Sequence, residues 1–322
     1  MYEHHIAIIE ETISYAIATS ALPAELAEPI LYALESGGKR LRPLMTVLAA
    51  ESYGVSSKKA APLAAAIEIL HNFTLIHDDI MDRSPLRRGK PTIHVAWDEA
   101  TAILAGDTMM GIAYRLLSDA YPPEVCRQLV AEFSSAFVEI CIGQAEDLTF
   151  RTRRDVTMDD YTAMISRKTA RLFATAAASG GIVAGAISEV VDALRRIGHA
   201  IGIAFQIRDD VLDLFGEPTF GKQRGQDLRE GKKTFIVLSL ANCDGVNSQL
   251  IKRYMAGESL TTDADIEQIA TLCQQCGVLD RAQATINCYL DSAIEALRHV
   301  LPPSPARESL IAIAEQTRTR QL

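Results

Sequence analysis

Apolar residues recur at three- and four-residue spacing along nearly the whole chain, and no stretch alternates apolar with polar as a half-buried strand must. That one periodicity requires an all-α fold and excludes a sheet-based core. A hydrophobic fraction of 48% with only 6% aromatic residues suits helices, because Ala and Leu lose little on entering a helix while aromatic residues favour strands. Proline, glycine and capping residues divide the pattern into expected helices at about 3–19, 23–36, 43–54, 58–82, 94–119, 123–149, 158–185, 188–214 and 234–242, followed by further amphipathic segments. Thr157 and Asp160 have the spacing of a capping box, and Ser188 can cap the helix that follows it. The uncharged, small-residue run at 172–188 reads as a closely packed internal helix. No long polar linker interrupts these 322 residues, so one domain over 1–322 is expected.

Composition also bounds function. A formal net charge of −9 argues against a nucleic-acid partner, since phosphate backbones are held by excess Lys and Arg. Six cysteines in so long a chain imply no disulfide framework, and Cys273-x-x-Cys276 alone lacks the four ligands of a zinc site. The N-terminus has no basic region followed by an apolar run, and no uncharged run reaches a full membrane span. A cytoplasmic protein without a transmembrane segment is expected.

The acidity that matters is local. Two Asp-Asp-x-x-Asp motifs stand at 78–82 and 209–213. Residues i and i+4 share a helix face, so Asp78 and Asp82 project together with Asp79 beside them, and Asp209, Asp210 and Asp213 repeat the arrangement. Two like charges about 4 Å apart repel by about 4 kcal/mol at an effective dielectric near 20, so six carboxylates lining one cavity need cations. Paired hard oxygens with room for water and phosphate oxygens are what Mg²⁺ takes. Either motif alone could be a solvated acidic face. Phe73, Leu75 and Ile76 before the first, with Phe205 and Ile207 before the second, turn the reading toward a cavity wall. Basic residues cluster nearby in short segments: Lys39, Arg40 and Arg42; Arg87, Arg88 and Lys90; Lys168; and Lys222, Lys232 and Lys233. Arg binds phosphate oxygens bidentately and Lys as a point charge, so these segments suit phosphate groups although no P-loop occurs.

The ordered series G-G-K-R-L-R-P, H-x-x-x-x-x-H-D-D-x-x-D, R-R-G-K-P-T, G-D, G-Q, K-T, F-Q-I-x-D-D-x-x-D and G-K-x-x-G-x-D-L-x-E-G-K-K-T spans about 36–240. In these residues the chain resembles the trans-type polyprenyl diphosphate synthases, which include the farnesyl and geranylgeranyl diphosphate synthases. The resemblance implies a helical bundle around a deep central cavity, usually as a homodimer. It implies that Asp78, Asp82, Asp209 and Asp213, supported by Asp79 and Asp210, hold Mg²⁺ ions that bridge an allylic diphosphate. Arg87, Lys168, Thr169, Gln206, Lys222 and Lys232 would contact that substrate, and Lys39, Arg42, His71 and Arg88 would bind isopentenyl diphosphate. The implied reaction ionises the allylic carbon–oxygen bond, adds the isopentenyl double bond to the cation, and loses a proton to the departing pyrophosphate. It needs no side-chain nucleophile, so His77 reads as a structural, hydrogen-bonded histidine.

Product length adds a further expectation. On an ideal helix Thr74 lies near the Asp78 face while Phe73 is about 140° away, which nominates Thr74 as the residue met by the growing chain. In the family an aromatic five residues before the first Asp and a small residue four before it resemble the short-chain geranylgeranyl type. Phe73 with Thr74 fits, and a C20 product is expected, with a farnesyl or longer-chain synthase as the alternative. Outside this chemistry, a class I terpene cyclase would lack the isopentenyl site and a complete second motif. A non-catalytic partner subunit would show eroded aspartates, and a phosphohydrolase around His77-Asp78 would need further ligands in a spacing that His94 and His199 do not provide.

Overall fold

In the computed structural model the described residues are all except 1, 36, 217–223, 244–247, 261 and 320–322. Lys222 of the expected phosphate-binding set lies outside them. Among the described residues every regular element is helical apart from one short hairpin, Leu86–Arg87 paired with Lys90–Pro91. The helices that build the site are Leu41–Glu51, Ser57–Met81, Glu99–Ala120, Pro123–Phe150, Arg171–Val183 and Ser188–Phe215. Glu3–Ala18 and Ala24–Leu34 precede them, and Phe235–Ala241, Asp263–Gln275, Val278–Val300 and Pro305–Thr319 are among those that follow.

Local chemistry accounts for where the expected boundaries held and where they moved. Thr157 and Asp160 do form a reciprocal capping box, the Asp160 amide donating to Thr157 Oγ1 at 3.1 Å and the Thr157 amide to Asp160 Oδ2 at 2.9 Å. Ser188 does not cap its helix. It is the first helical residue, and the extended Ile187 occupies the cap position. The expected 94–119 helix breaks because Asp98 turns extended and its carboxylate accepts the Thr101 amide at 2.7 Å, starting a new helix. The expected 158–185 helix is interrupted by a π turn at Ser166–Ala170, a widening of the kind often found at functional sites. Arg88 and Gly89, at the tip of the hairpin, both have positive φ (53° and 79°), as a two-residue type I′ turn requires.

Two hydrophobic cores adjoin. One gathers residues of the N-terminal helices and the other those of the C-terminal half, and both draw on Leu41–Glu51 and Arg171–Val183. The latter is the small-residue run read as an internal helix, and its residues Leu172 to Val183 are all buried. Small side chains let Ser188–Phe215 approach it closely. A Cβ on Gly198 would fall 2.4 Å from the Phe173 carbonyl oxygen, and one on Gly202 would fall 2.5 Å from Ala170 Cα. That approach seats the π turn against the helix bearing the second acidic motif. Replacing Gly198 by Ala should gain about 1 kcal/mol of helix propensity yet lose more to backbone overlap. The expected net destabilisation is about 1–3 kcal/mol, measured as a lower urea midpoint at unchanged slope.

Candidate active site

The first acidic motif lies at the C-terminal end of Ser57–Met81, with Asp82 as its C-cap, and the second lies in the last turns of Ser188–Phe215. Two lysines tie the first of these ends to carboxylates from other elements. Lys168 Nζ is 3.7 Å from Asp78 Oδ2 and 2.7 Å from Asp147 Oδ2. Lys232 Nζ is 3.2 Å from Asp82 Oδ2, 3.3 Å from Asp227 Oδ1 and 2.6 Å from Glu230 Oε2. The Asp227 amide donates in turn to Asp213 Oδ2 at 3.1 Å, so the two motifs meet through Asp227 and Lys232. Arg151 adds a contact of 2.5 Å to Asp82 and one of 3.9 Å to Asp147.

The π turn explains how Lys168 arrives there. Gly143 of the G-Q pair packs so tightly that an added Cβ would lie 2.5 Å from the Lys168 backbone nitrogen. Beside it, Thr169 Oγ1 donates to Gln206 Oε1 at 2.7 Å, and Gln206 Nε2 donates to Asp210 Oδ1 at 2.8 Å. The Tyr161 hydroxyl (2.7 Å) and the Phe235 amide (2.9 Å) both donate to Asp210 Oδ2. These donors favour the ionised carboxylate, while burial and the Asp227 charge push it up to about 7. Asp210 therefore anchors the segment that carries Lys232. Asp79 plays a matching part in the first motif: Arg87 Nε donates to both of its oxygens, at 2.9 and 2.8 Å.

The electrostatics follow from this pairing. Burial pushes Asp82 and Asp147 up, but Lys232 and Arg151 beside Asp82, and Lys168 beside Asp147, outweigh it and hold both below the usual carboxylate range. Burial wins at Asp78, where Lys168 offsets it only in part. Lys168 and Lys232 are held above the ordinary lysine value, their carboxylate neighbours overcoming burial. No cluster of three or more metal-ligating side chains able to hold an ion by itself occurs among the described residues. Paired carboxylates without a closed cage fit Mg²⁺, which is commonly bound through one or two carboxylates together with water and substrate phosphate oxygens.

A second patch, without carboxylates shared with lysines, gathers arginines from other elements around His71 of the same helix. His71 is seven residues before Asp78, on the same face and about 10.5 Å along the axis. Arg42 Nη1 donates to His71 Nε2 at 3.2 Å, and its guanidinium lies 4.2 Å over the Phe173 ring. Burial pushes Arg42 down to about 10. Arg88 donates to the Gly37 carbonyl, which brings the hairpin tip to the loop bearing Lys39. Arg40 was not singled out from sequence as structural, yet it is buried, with φ of 50°, and donates to Glu68 Oε1 at 2.6 Å. Below the acidic motif, Phe73 is buried and packs against His77 (4.6 Å between ring centroids) and Phe137 (5.6 Å). His77 Nε2 faces the Ile103 carbonyl at 3.4 Å, the structural role read for it. The partly buried Thr74 turns its hydroxyl back to the His71 carbonyl at 2.7 Å.

Sequence reasoning missed Asp147, Arg151 and Glu230. The signal was available for the first two, since they sit one and two turns beyond Gly143 on one helix face. His71 generates a test. Burial, then Arg42, Arg88, Arg87 and Arg40, hold its pKa well below the ordinary histidine value. An arginine can only donate, so Nε2 accepts and the ring proton resides on Nδ1. Below pH about 6.5 the unfolded chain takes up a proton that the folded protein refuses, so this residue costs stability as the pH falls through that value. Nitrogen NMR of labelled histidine should show His71 still neutral when exposed histidines are protonated, and His71→Gln should flatten the acid side of the stability curve.

Residues 23–273 match the family model described as polyprenyl synthetase. The chain is 40% identical over 301 residues to a geranylgeranyl diphosphate synthase of Methanosarcina mazei, covering 93% of this chain and 91% of that one. It is 38% identical over 288 residues to a geranylfarnesyl diphosphate synthase of Aeropyrum pernix, covering 87% and 89%. Among solved structures, a geranylgeranyl pyrophosphate synthase superposes with a TM-score of 0.92 at 38% identity, covering 100% of this chain and 99% of the other. A polyprenyl synthase from Caulobacter crescentus, complexed with calcium and isoprenyl diphosphate, superposes with a TM-score of 0.90 at 32% identity, covering 100% and 96%. With matches extending over nearly its whole length, the chain belongs to the polyprenyl synthetase family.

Proposed function

We propose that this protein condenses isopentenyl diphosphate head-to-tail with an allylic diphosphate, releasing pyrophosphate and giving a short all-trans product. The observation that carries this reading is the pair of patches on one helix face, carboxylates shared with lysines at one end and Arg42–His71 at the other. One patch suits a diphosphate bridged by metal, the other a diphosphate held by cations alone. Asp78, Asp82, Asp209 and Asp213 would hold Mg²⁺ with the allylic diphosphate. The calcium and isoprenyl diphosphate named for the Caulobacter relative support that assignment. When bound, the metal withdraws electron density from the departing diphosphate oxygens.

The chain's own residues do the rest. Lys168, Lys232 and Arg87 meet charge that grows on the leaving group as the carbon–oxygen bond breaks, with Thr169 and Gln206 holding their segment in place. Lys222 joins this set by resemblance alone. Arg42, Arg88 and Lys39 hold the second diphosphate, and neutral His71 adds polarity there without a further charge. The apolar wall below Asp78 keeps water from the allylic cation, and the isopentenyl double bond attacks it. The proton then leaves with the pyrophosphate.

We assign the C20 product to Phe73, a reading supported by its buried ring about one turn before the first motif, packed against Phe137 and His77. The two relatives named above differ in product length, so the residues of this chain decide the matter. We also propose a homodimer. Ile103 and Leu104 on one helix and Val138 and Ile142 on its neighbour expose large apolar side chains that a second copy would cover. A cytoplasmic setting is supported by six cysteines that are all thiols. No described helix is long and apolar enough to cross a membrane.

Incubation with Mg²⁺, isopentenyl diphosphate and farnesyl diphosphate should yield geranylgeranyl diphosphate. Release of hydrocarbon would point to a cyclase, release of phosphate to a hydrolase, and absence of turnover to a non-catalytic subunit. EDTA should abolish condensation, and Asp78→Ala should lower kcat by about 10²–10³-fold or more while the protein remains folded. Phe73→Ala should lengthen the product beyond C20 on chromatography; unchanged length would remove Phe73 from this role.

A further inference from the structure

The motif that the site leaves unused is Cys273-x-x-Cys276. Cys276 is the C-cap of Asp263–Gln275, and its side chain is in hydrogen-bonding contact with Cys243, just beyond the C-terminal end of Phe235–Ala241. Arg281 clamps the same two helix ends. Its Nη1 donates to the Cys276 carbonyl at 2.8 Å and its Nη2 to the Ser239 carbonyl at 3.2 Å. Cys243 and Cys276 are partly exposed, whereas Cys273 is sealed in the core. A small oxidant can therefore reach the first two and not the third.

We propose that Cys243 and Cys276 form an oxidisable pair, which a low-molecular-weight disulfide converts into an intramolecular disulfide that staples the two helix ends. One thiol gives up its proton and attacks a sulfur of the reagent, forming a mixed disulfide and expelling a thiolate that takes up the proton. The second thiol then attacks the protein-side sulfur, loses its proton and expels the second small thiol. In total, two protein thiols are oxidised by two electrons and one small disulfide is reduced to two thiols. Contact with Cys243 and then burial raise the Cys276 thiol. Exchange runs through the thiolate, so attack by Cys276 is favoured at alkaline pH.

The position gives the bond a consequence. Phe235–Ala241 starts directly after Lys232, Lys233 and Thr234, and its first amide is the one that Asp210 accepts. The staple would fix the far end of the helix whose near end carries the Lys232 segment. A cross-link there also restricts the unfolded chain, which raises thermal stability.

The test uses the full-length protein incubated with oxidised glutathione at mildly alkaline pH. Remaining thiols are then alkylated and the digest mapped by mass spectrometry. The expected result is a peptide pair joined through Cys243 and Cys276, lost on adding dithiothreitol. A rise of a few degrees in the thermal midpoint should accompany it and be absent in Cys243→Ser. Recovery of Cys243 and Cys276 as alkylated thiols or separate glutathione adducts, or a bond to Cys273 instead, would overturn the proposal. The map of the unmutated chain decides this even if the variant folds poorly.

Discussion

Asp78, Asp82, Asp147, Asp227 and Glu230 stand close enough together to share two lysines, and their mutual repulsion is the constraint that the surrounding structure answers. In a partly buried cleft such carboxylates would shift toward their neutral forms unless cations held them charged. Lys168 and Lys232 do this, and each comes from an element that the packing has to deliver. A metal-bridged diphosphate suits such a place because it brings both signs of charge at once. The carboxylates gain a cation, and the lysines gain phosphate oxygens in exchange for carboxylate oxygens. The same groups that stabilise the resting cleft can thus turn to a leaving group whose charge is growing.

Delivery depends on close helix packing. Gly143, Gly198 and Gly202 remove the side chains that would otherwise separate three helices at the π turn, and the turn then aims Lys168 between Asp78 and Asp147. Asp210 and Asp79 serve the same end from inside the motifs. Each spends its charge on holding a loop, Asp210 the Phe235 amide and Asp79 the Arg87 guanidinium. Six aspartates of identical spacing in sequence therefore divide into some that face the cleft and two that anchor its walls. The hairpin works similarly, its type I′ turn sending Arg87 to the acidic patch and Arg88 to the cationic one.

Much of this was legible in the residues. Helical periodicity predicted the fold class, and the Asp, Gly-Gly-Lys-Arg and Arg-Arg-Gly-Lys segments predicted which residues would converge. The misses share one cause. Asp98 and Ile187 were selected by local capping geometry and the π turn by the close approach of Gly143 and Gly202, and residue spacing encodes neither choice. Glu230 was given no role because residue type alone does not say which charge faces a cleft, and Arg40, grouped with the phosphate-suited basic residues, instead pairs with buried Glu68. Phe73 illustrates the point most directly. An ideal helix turns it away from Asp78, and its ring stacks on His77 one turn further along the same helix; what the sequence could not say is that Phe137 of another helix packs against it there and that the Thr74 hydroxyl is turned back to its own helix.

By itself, the sequence determined the helical class, the two carboxylate faces and the supply of cations, because these follow from residue type and from a period of 3.6 that needs no partner. Only the tertiary structure decided which charges compensate which, and which aspartates are anchors. Pairing energies depend on distance and burial, and both are set by how closely the helices approach.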